Sequence, residues 1–156
     1  MKRKKINRRK QITRSTKVEY QGLNFASKLE MHMYKLLQKA KIPVQYEGKT
    51  FSLVNGFDFT NASYEKTRLK KYLHDRGNKN ILPIKYTPDF LDVQDPPRFI
   101  IECKGNPNEA FPIRWKLFKK YLIDENIKAD LFMPRNQKDC AEVVRIIQES
   151  LTCKSR

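Results

Sequence analysis

The chain has 156 residues, enough for one compact domain with a tail and too few for two independent cores. Lys and Arg number 33 against 17 Asp and Glu, a formal charge of +16 that calls for a polyanionic partner, with nucleic acid first. No apolar run approaches the roughly 18 residues of a spanning helix, and the basic first residues are not followed by the apolar stretch of a secretory signal. The expectation is a soluble, intracellular protein with no membrane partner.

Residues 1–17 carry Lys2, Arg3, Lys4, Lys5, Arg8, Arg9, Lys10, Arg14 and Lys17 with no acid. This composition predicts a flexible basic arm over residues 1–20 that tracks along phosphates, the alternatives being a solubilising tail or a targeting signal. The folded domain is expected over residues 21–156. Ser27-Lys28-Leu29-Glu30 has the spacing of a helix capping box, and Leu29, Met33, Leu36, Leu37 and Ala40 follow at helical intervals. Ile42-Pro43 closes that helix. Val44 and Tyr46, then Phe51 and Leu53, suggest extended segments with alternating burial, in a strand pair or a meander.

Residues 55–83 read as a basic insertion, with a helix around Leu69, Tyr72 and Leu73 and with Lys70 and Lys71 as DNA contacts; a solvated helix face is the alternative. Residues 84–92 and 98–104 read as two strands joined by Gln94-Asp95-Pro96-Pro97, a link short enough to demand an antiparallel hairpin. Helices are expected over residues 113–122 and 139–151, with a short strand at 130–133 between them. The sum is the order α, β-rich centre, α, β, α, an α+β fold.

The chemistry is expected in the hairpin. Residues two apart in a strand share a face, so Glu102 and Lys104 point one way while Phe99, Ile101 and Cys103 point to the core. Asp89 follows Pro88 on the neighbouring strand, and pairing brings its carboxylate toward that of Glu102. Two close carboxylates repel, and a divalent cation relieves the repulsion. Hard oxygen donors suit Mg²⁺, with Mn²⁺ able to substitute, and the backbone carbonyl of Cys103 is a further candidate ligand.

Lys104 is placed to position or deprotonate water and to stabilise developing negative charge. The competing reading is a surface hairpin with a plain Glu102–Lys104 salt bridge. Glu30 has two readings as well, the acceptor of the capping box or a fourth member of the site acting on the metal through water. His32 and His74 stand alone and are read as packing or surface residues; Cys103, Cys140 and Cys153 form no zinc or disulfide pattern.

Two blocks covering about a quarter of the chain resemble the PD-(D/E)xK nuclease superfamily, and more closely the phage endonuclease I type of Holliday-junction resolvase. In residues 27–47 a Ser-x-x-Glu helix start leads through a Leu-rich helix to Lys-Ile-x-x-x-Tyr-Glu. In residues 86–105 the pattern is Tyr-Thr-Pro-Asp-Phe-Leu and then Glu-x-Lys-Gly. The resemblance implies a restriction-endonuclease-like core, a mixed sheet flanked by helices, with Glu30, Asp89, Glu102 and Lys104 at the catalytic positions. It also implies a Mg²⁺-dependent DNA endonuclease that cuts branched or structured DNA, often as a homodimer, in the cytoplasm of a phage-infected cell.

The long segment 55–83 departs from the short bridging connection of the junction resolvases, which bears on their swapped dimer. Arg114, Lys116 and Lys119 on the helix after the hairpin are candidate phosphate contacts, while Trp115, Leu117 and Phe118 are expected in the core. The alternatives to junction resolution are a duplex or single-strand nicking nuclease and a non-catalytic DNA-binding protein on the same fold.

Overall fold

A computed structural model describes residues 16–66, 68, 71–105 and 109–153. The proposed DNA contacts Lys2, Arg3, Lys4, Lys5, Arg8, Arg9, Lys10 and Lys70 lie outside the described residues. The described part is α+β, with no helix long and apolar enough to cross a membrane.

The fold opens with a hairpin of β1 (Val18–Tyr20) and β2 (Leu23–Phe25). Gln21 and Gly22 both have positive φ, 51° and 76°, as a two-residue turn requires when it must match the right-handed twist of its strands. Folded structure therefore begins inside the stretch assigned to the arm. Helix α1 (Lys28–Lys39) starts as its capping box dictates: Ser27 Oγ accepts from the Glu30 amide at 3.2 Å and donates to Glu30 Oε1 at 2.7 Å. Such a cap contributes about 1 kcal/mol.

Next come β3 (Val44–Tyr46), β4 (Phe51–Val54), β5 (Phe57–Phe59), β6 (Tyr64–Glu65), β7 (His74–Asp75), β8 (Lys79–Ile81) and β9 (Ile84–Tyr86). The expected β3–β4 pair does not form. Instead β4 pairs β9, β5 pairs β8 and β6 pairs β7, three successive antiparallel ladders that make one two-stranded ribbon of residues 51–86. The helix expected around Tyr72 and Leu73 is likewise absent, because His74 pairs with Glu65 and Asp75 with Tyr64.

The chain re-enters the body through β10 (Phe90–Asp92) and returns through β11 (Phe99–Ile101), antiparallel as expected, with Phe90 opposite Ile101. Buried Asp92 closes this hairpin by accepting from Arg98 Nε at 2.6 Å, Arg98 Nη2 at 3.0 Å and the Arg98 amide at 3.1 Å. The single strand expected over residues 84–92 is split at Thr87-Pro88, so β9 joins the ribbon and β10 joins the main sheet. Helix α2 (Phe111–Asp124) then crosses to β12 (Asp130–Phe132), which runs parallel to β11, and α3 (Gln137–Cys153) follows.

The main sheet has the order β12-β11-β10-β3. One face packs Phe90, Phe99, Ile101 and Cys103 against Met33 and Leu37 of α1 and Val143, Val144 and Ile147 of α3. The other packs Leu91 and Ile100 against Trp115, Phe118 and Leu122 of α2, together with Phe51 and Tyr86 from the root of the ribbon. Trp115 and Phe118 are thus core residues, as the sequence predicts, and Leu117 is half-buried. The expected alternation holds, with Phe99, Ile101 and Cys103 in one core and Glu102 and Lys104 together on the other side, but that side is covered too, because Ile100 packs against α2.

Candidate active site

Beyond the Phe90–Ile101 pair the strands β10 and β11 part, and the next residue on each side is Asp89 and Glu102. The backbone stays ordered past the end of β11 because the Glu102 amide donates to the Phe132 carbonyl at 2.9 Å and the Lys104 amide to that of Pro134 at 3.0 Å. Asp89 Oδ2 accepts from the Cys103 amide at 2.6 Å. The other oxygen, Oδ1, accepts no hydrogen bond among the described residues. Pro88, fully buried, fixes the backbone immediately before it.

Glu102 is only 4% exposed. Its Oε2 accepts from the Tyr86 hydroxyl at 2.7 Å and its Oε1 from Lys104 Nζ at 3.2 Å. Lys104 Nζ also lies 4.6 Å from the centre of the Phe111 ring, so the ammonium is held between a carboxylate and an aromatic face. The salt bridge of the competing reading exists, but it is made to a buried carboxylate beside a second acid.

Burial, followed by the charges of Glu102 and Glu30, pushes the Asp89 carboxyl up to about 8. Burial also raises Glu102, against the opposing hydrogen bond from Tyr86 and the charge of Lys104. Protonation or a cation relieves such a pair. The Cys103 thiol is pushed up by its hydrogen bond with Cys140 and by burial, so its sulfur stays protonated.

Glu30 is engaged at the start of α1 and also borders the cleft. Its Oε1 takes the Ser27 hydroxyl, while Oε2 accepts from the Ala26 amide at 2.9 Å and from the Tyr46 hydroxyl at 2.8 Å. With this shell it is 5% exposed, yet it lines the same open cleft of about 690 Å³ as Asp89, Cys103 and Lys104. Lys28 and Arg135 line that cleft too, and the sequence reading missed both. The proposed phosphate contacts Arg114, Lys116 and Lys119 are exposed on α2 but do not line the cleft, and Lys71 is exposed on the ribbon far along the chain from it. His32 and His74 lie outside the cleft lining.

Among the described residues no group of three or more His, Cys, Asp or Glu side chains is gathered closely enough to hold a metal ion by itself. The donor set still fits a hard cation. Asp89 Oδ1 has no hydrogen-bond partner among the described residues, the acids beside it offer oxygen ligands, and Mg²⁺ keeps several waters when one or two carboxylates hold it. The residues that would hold such a cation are Asp89, Glu102 and the Cys103 carbonyl, with Glu30 through water.

The fold and site define an α+β protein in which half-buried Asp89 and Lys104 line a cleft with Lys28 and Arg135, and buried Glu102 lies behind them. The chain belongs to the family described as Protein of unknown function (DUF1064), whose model matches residues 10–135. No curated protein and no solved structure matches the chain.

Proposed function

We propose that the chain is a metal-dependent DNA endonuclease of the PD-(D/E)xK class that hydrolyses phosphodiester bonds of branched or structured DNA. The observation that carries this reading is the meeting of Asp89 and Glu102 where β10 and β11 part, with Lys104 3.2 Å from Glu102. Half-buried Asp89 and Lys104 on the wall of an open cleft, with buried Glu102 behind them, are a costly arrangement for structure alone.

A bound Mg²⁺ would neutralise charge on the scissile phosphate and lower the pKa of water. Lys104 orients the attacking water and donates to the oxygen that gains charge. Tyr86 and Glu102 lock each other's position, and Lys28 and Arg135 on the cleft wall meet the DNA phosphates. The charge of +16 supports a nucleic-acid substrate.

Purified protein with Mg²⁺ is expected to cleave a four-way junction faster than the matching linear duplex. Equal rates on both would leave a nuclease of simpler specificity. A chain that binds DNA but is inert with both Mg²⁺ and Mn²⁺ would be a binding protein on the same fold.

A further inference from the structure

The ribbon of residues 51–86 packs on the body only at its root, through Phe51 and Tyr86. None of the described residues in 55–83 is buried, and a lone two-stranded ribbon is marginally stable in water. Tyr64, Tyr72, Leu73 and Leu82 are each more than 60% exposed on it. Its backbone is nevertheless specific. A Cβ on Gly77 would stand 1.9 Å from the Asn61 carbonyl oxygen, so the two strands approach where only glycine fits.

Its charges are sorted as well. Asp58 accepts from the Asn80 side chain, Asp75 from the Ser63 and Gly77 amides, and Glu65 from the Ser63 hydroxyl while facing Arg76 at 3.9 Å. All three acids between residues 55 and 83 are thus engaged within the ribbon. Lys66, Arg68, Lys71 and Lys79 make no ion pair among the described residues, so the charge left outward is positive.

The root is fixed to the acid pair. Phe51 pairs with Tyr86 and packs against Phe118 at 5.1 Å, and the Tyr86 hydroxyl binds Glu102. From Tyr86 to His74 the strand reaches at most roughly 40 Å, slightly more than one turn of B-DNA. The major groove admits a two-stranded ribbon. A second copy of a chain at +16 is repelled by the same charge.

We propose that this ribbon is a duplex-reading arm that lies in the DNA major groove beside the cleaved phosphate. Lys66, Arg68, Lys71 and Lys79 take the flanking phosphates, and Tyr72 and Leu73 lie against base edges. The placement beside a cleaved phosphate rests on the nuclease reading; the groove contact itself does not.

The test is binding of the full chain, without divalent metal, to a 40-bp duplex and to the same duplex with its major groove filled by glucosylated hydroxymethylcytosine. The wild type is expected to bind the filled duplex at least 10-fold more weakly. Lys66→Glu/Arg68→Glu/Lys71→Glu is expected to lose that discrimination and to flatten the salt slope by about 2 to 3. Tyr72→Ala, which leaves the charges intact, should lose discrimination with little change of slope.

Equal wild-type affinity for the two duplexes overturns the proposal, as does discrimination that survives both variants or a dimer in solution that requires the ribbon. The wild-type comparison decides the matter even if a variant fails to fold. Cleavage without groove discrimination removes the arm and leaves the nuclease; groove discrimination by a chain that never cleaves does the reverse.

Discussion

The hydroxyl of Tyr86, at the root of the ribbon, donates to Oε2 of Glu102 at 2.7 Å, and both residues are buried. One contact thus joins the ribbon to the acid pair. Tyr86→Phe keeps the ring contacts with Trp115 and Phe118 and removes only the donor. It should destabilise the fold by about 2 kcal/mol, the worth of a hydrogen bond to a buried charged acceptor. It should also weaken the Mg²⁺ dependence of cleavage. Thermal melts and a Mg²⁺ titration check this, and an unchanged melting temperature would show the bond to be idle.

Asp89 carries a stability prediction with a definite sign. Its carboxyl is raised to about 8 from the usual 3.8, so the folded chain holds a proton that the unfolded chain gives up. The contribution is full below pH 4 and is lost as the pH rises toward 8. Metal-free Asp89→Asn should therefore be more stable than the wild type at pH 8, by on the order of 1–3 kcal/mol, and nearly equal to it at pH 4. Melts at the two pH values decide it; a variant less stable at pH 8 would mean that the ionised acid is well solvated. Cleavage should be abolished at any pH.

Lys104→Met keeps much of the side-chain volume over Phe111 and removes the ammonium. Cleavage is expected to fall roughly 100-fold or more, the usual scale for loss of a proton-handling group, with DNA affinity within a few-fold of wild type. Rate and affinity falling together would place Lys104 in binding alone.

Arg98→Ala leaves the Asp92 carboxylate, whose side chain is 0% exposed, without its two guanidinium hydrogen bonds and with the residue-98 amide still donating. Burial alone would raise that carboxyl; the Arg98 hydrogen bonds outweigh it and hold it below the ordinary range. The loss should be about 3 kcal/mol at neutral pH. Asp92→Asn/Arg98→Met should recover part of it in chemical denaturation. A single variant as stable as the wild type would mean that the hairpin does not depend on this pair.

The elements visible in the sequence were those whose causes are local. Ser27 and Glu30 lie three apart, Leu29, Met33 and Leu37 repeat along one helix, and Asp89, Glu102 and Lys104 belong to a hairpin with a short turn. The ribbon was not visible, because Phe51 pairs with Tyr86 across 35 positions and each ladder is only two to four residues long. Leu69, Tyr72 and Leu73 have helical spacing, but strand pairing at His74 prevails. Gln21-Gly22 did carry a hairpin signal, obscured by the basic run before it. Tyr46 and Tyr86 donate to acids 16 residues away, a relation that no periodicity encodes.

The interruption at Thr87-Pro88 has a consequence for how this chain can change. Because the ribbon's ladders end at Tyr86 and the main sheet resumes at Phe90, residues can be added to or removed from the ribbon in cross-strand pairs without altering the register of Asp89 against Glu102. The length of the arm and the spacing of the acid pair are therefore independent variables. Related chains can diverge in the first while holding the second constant.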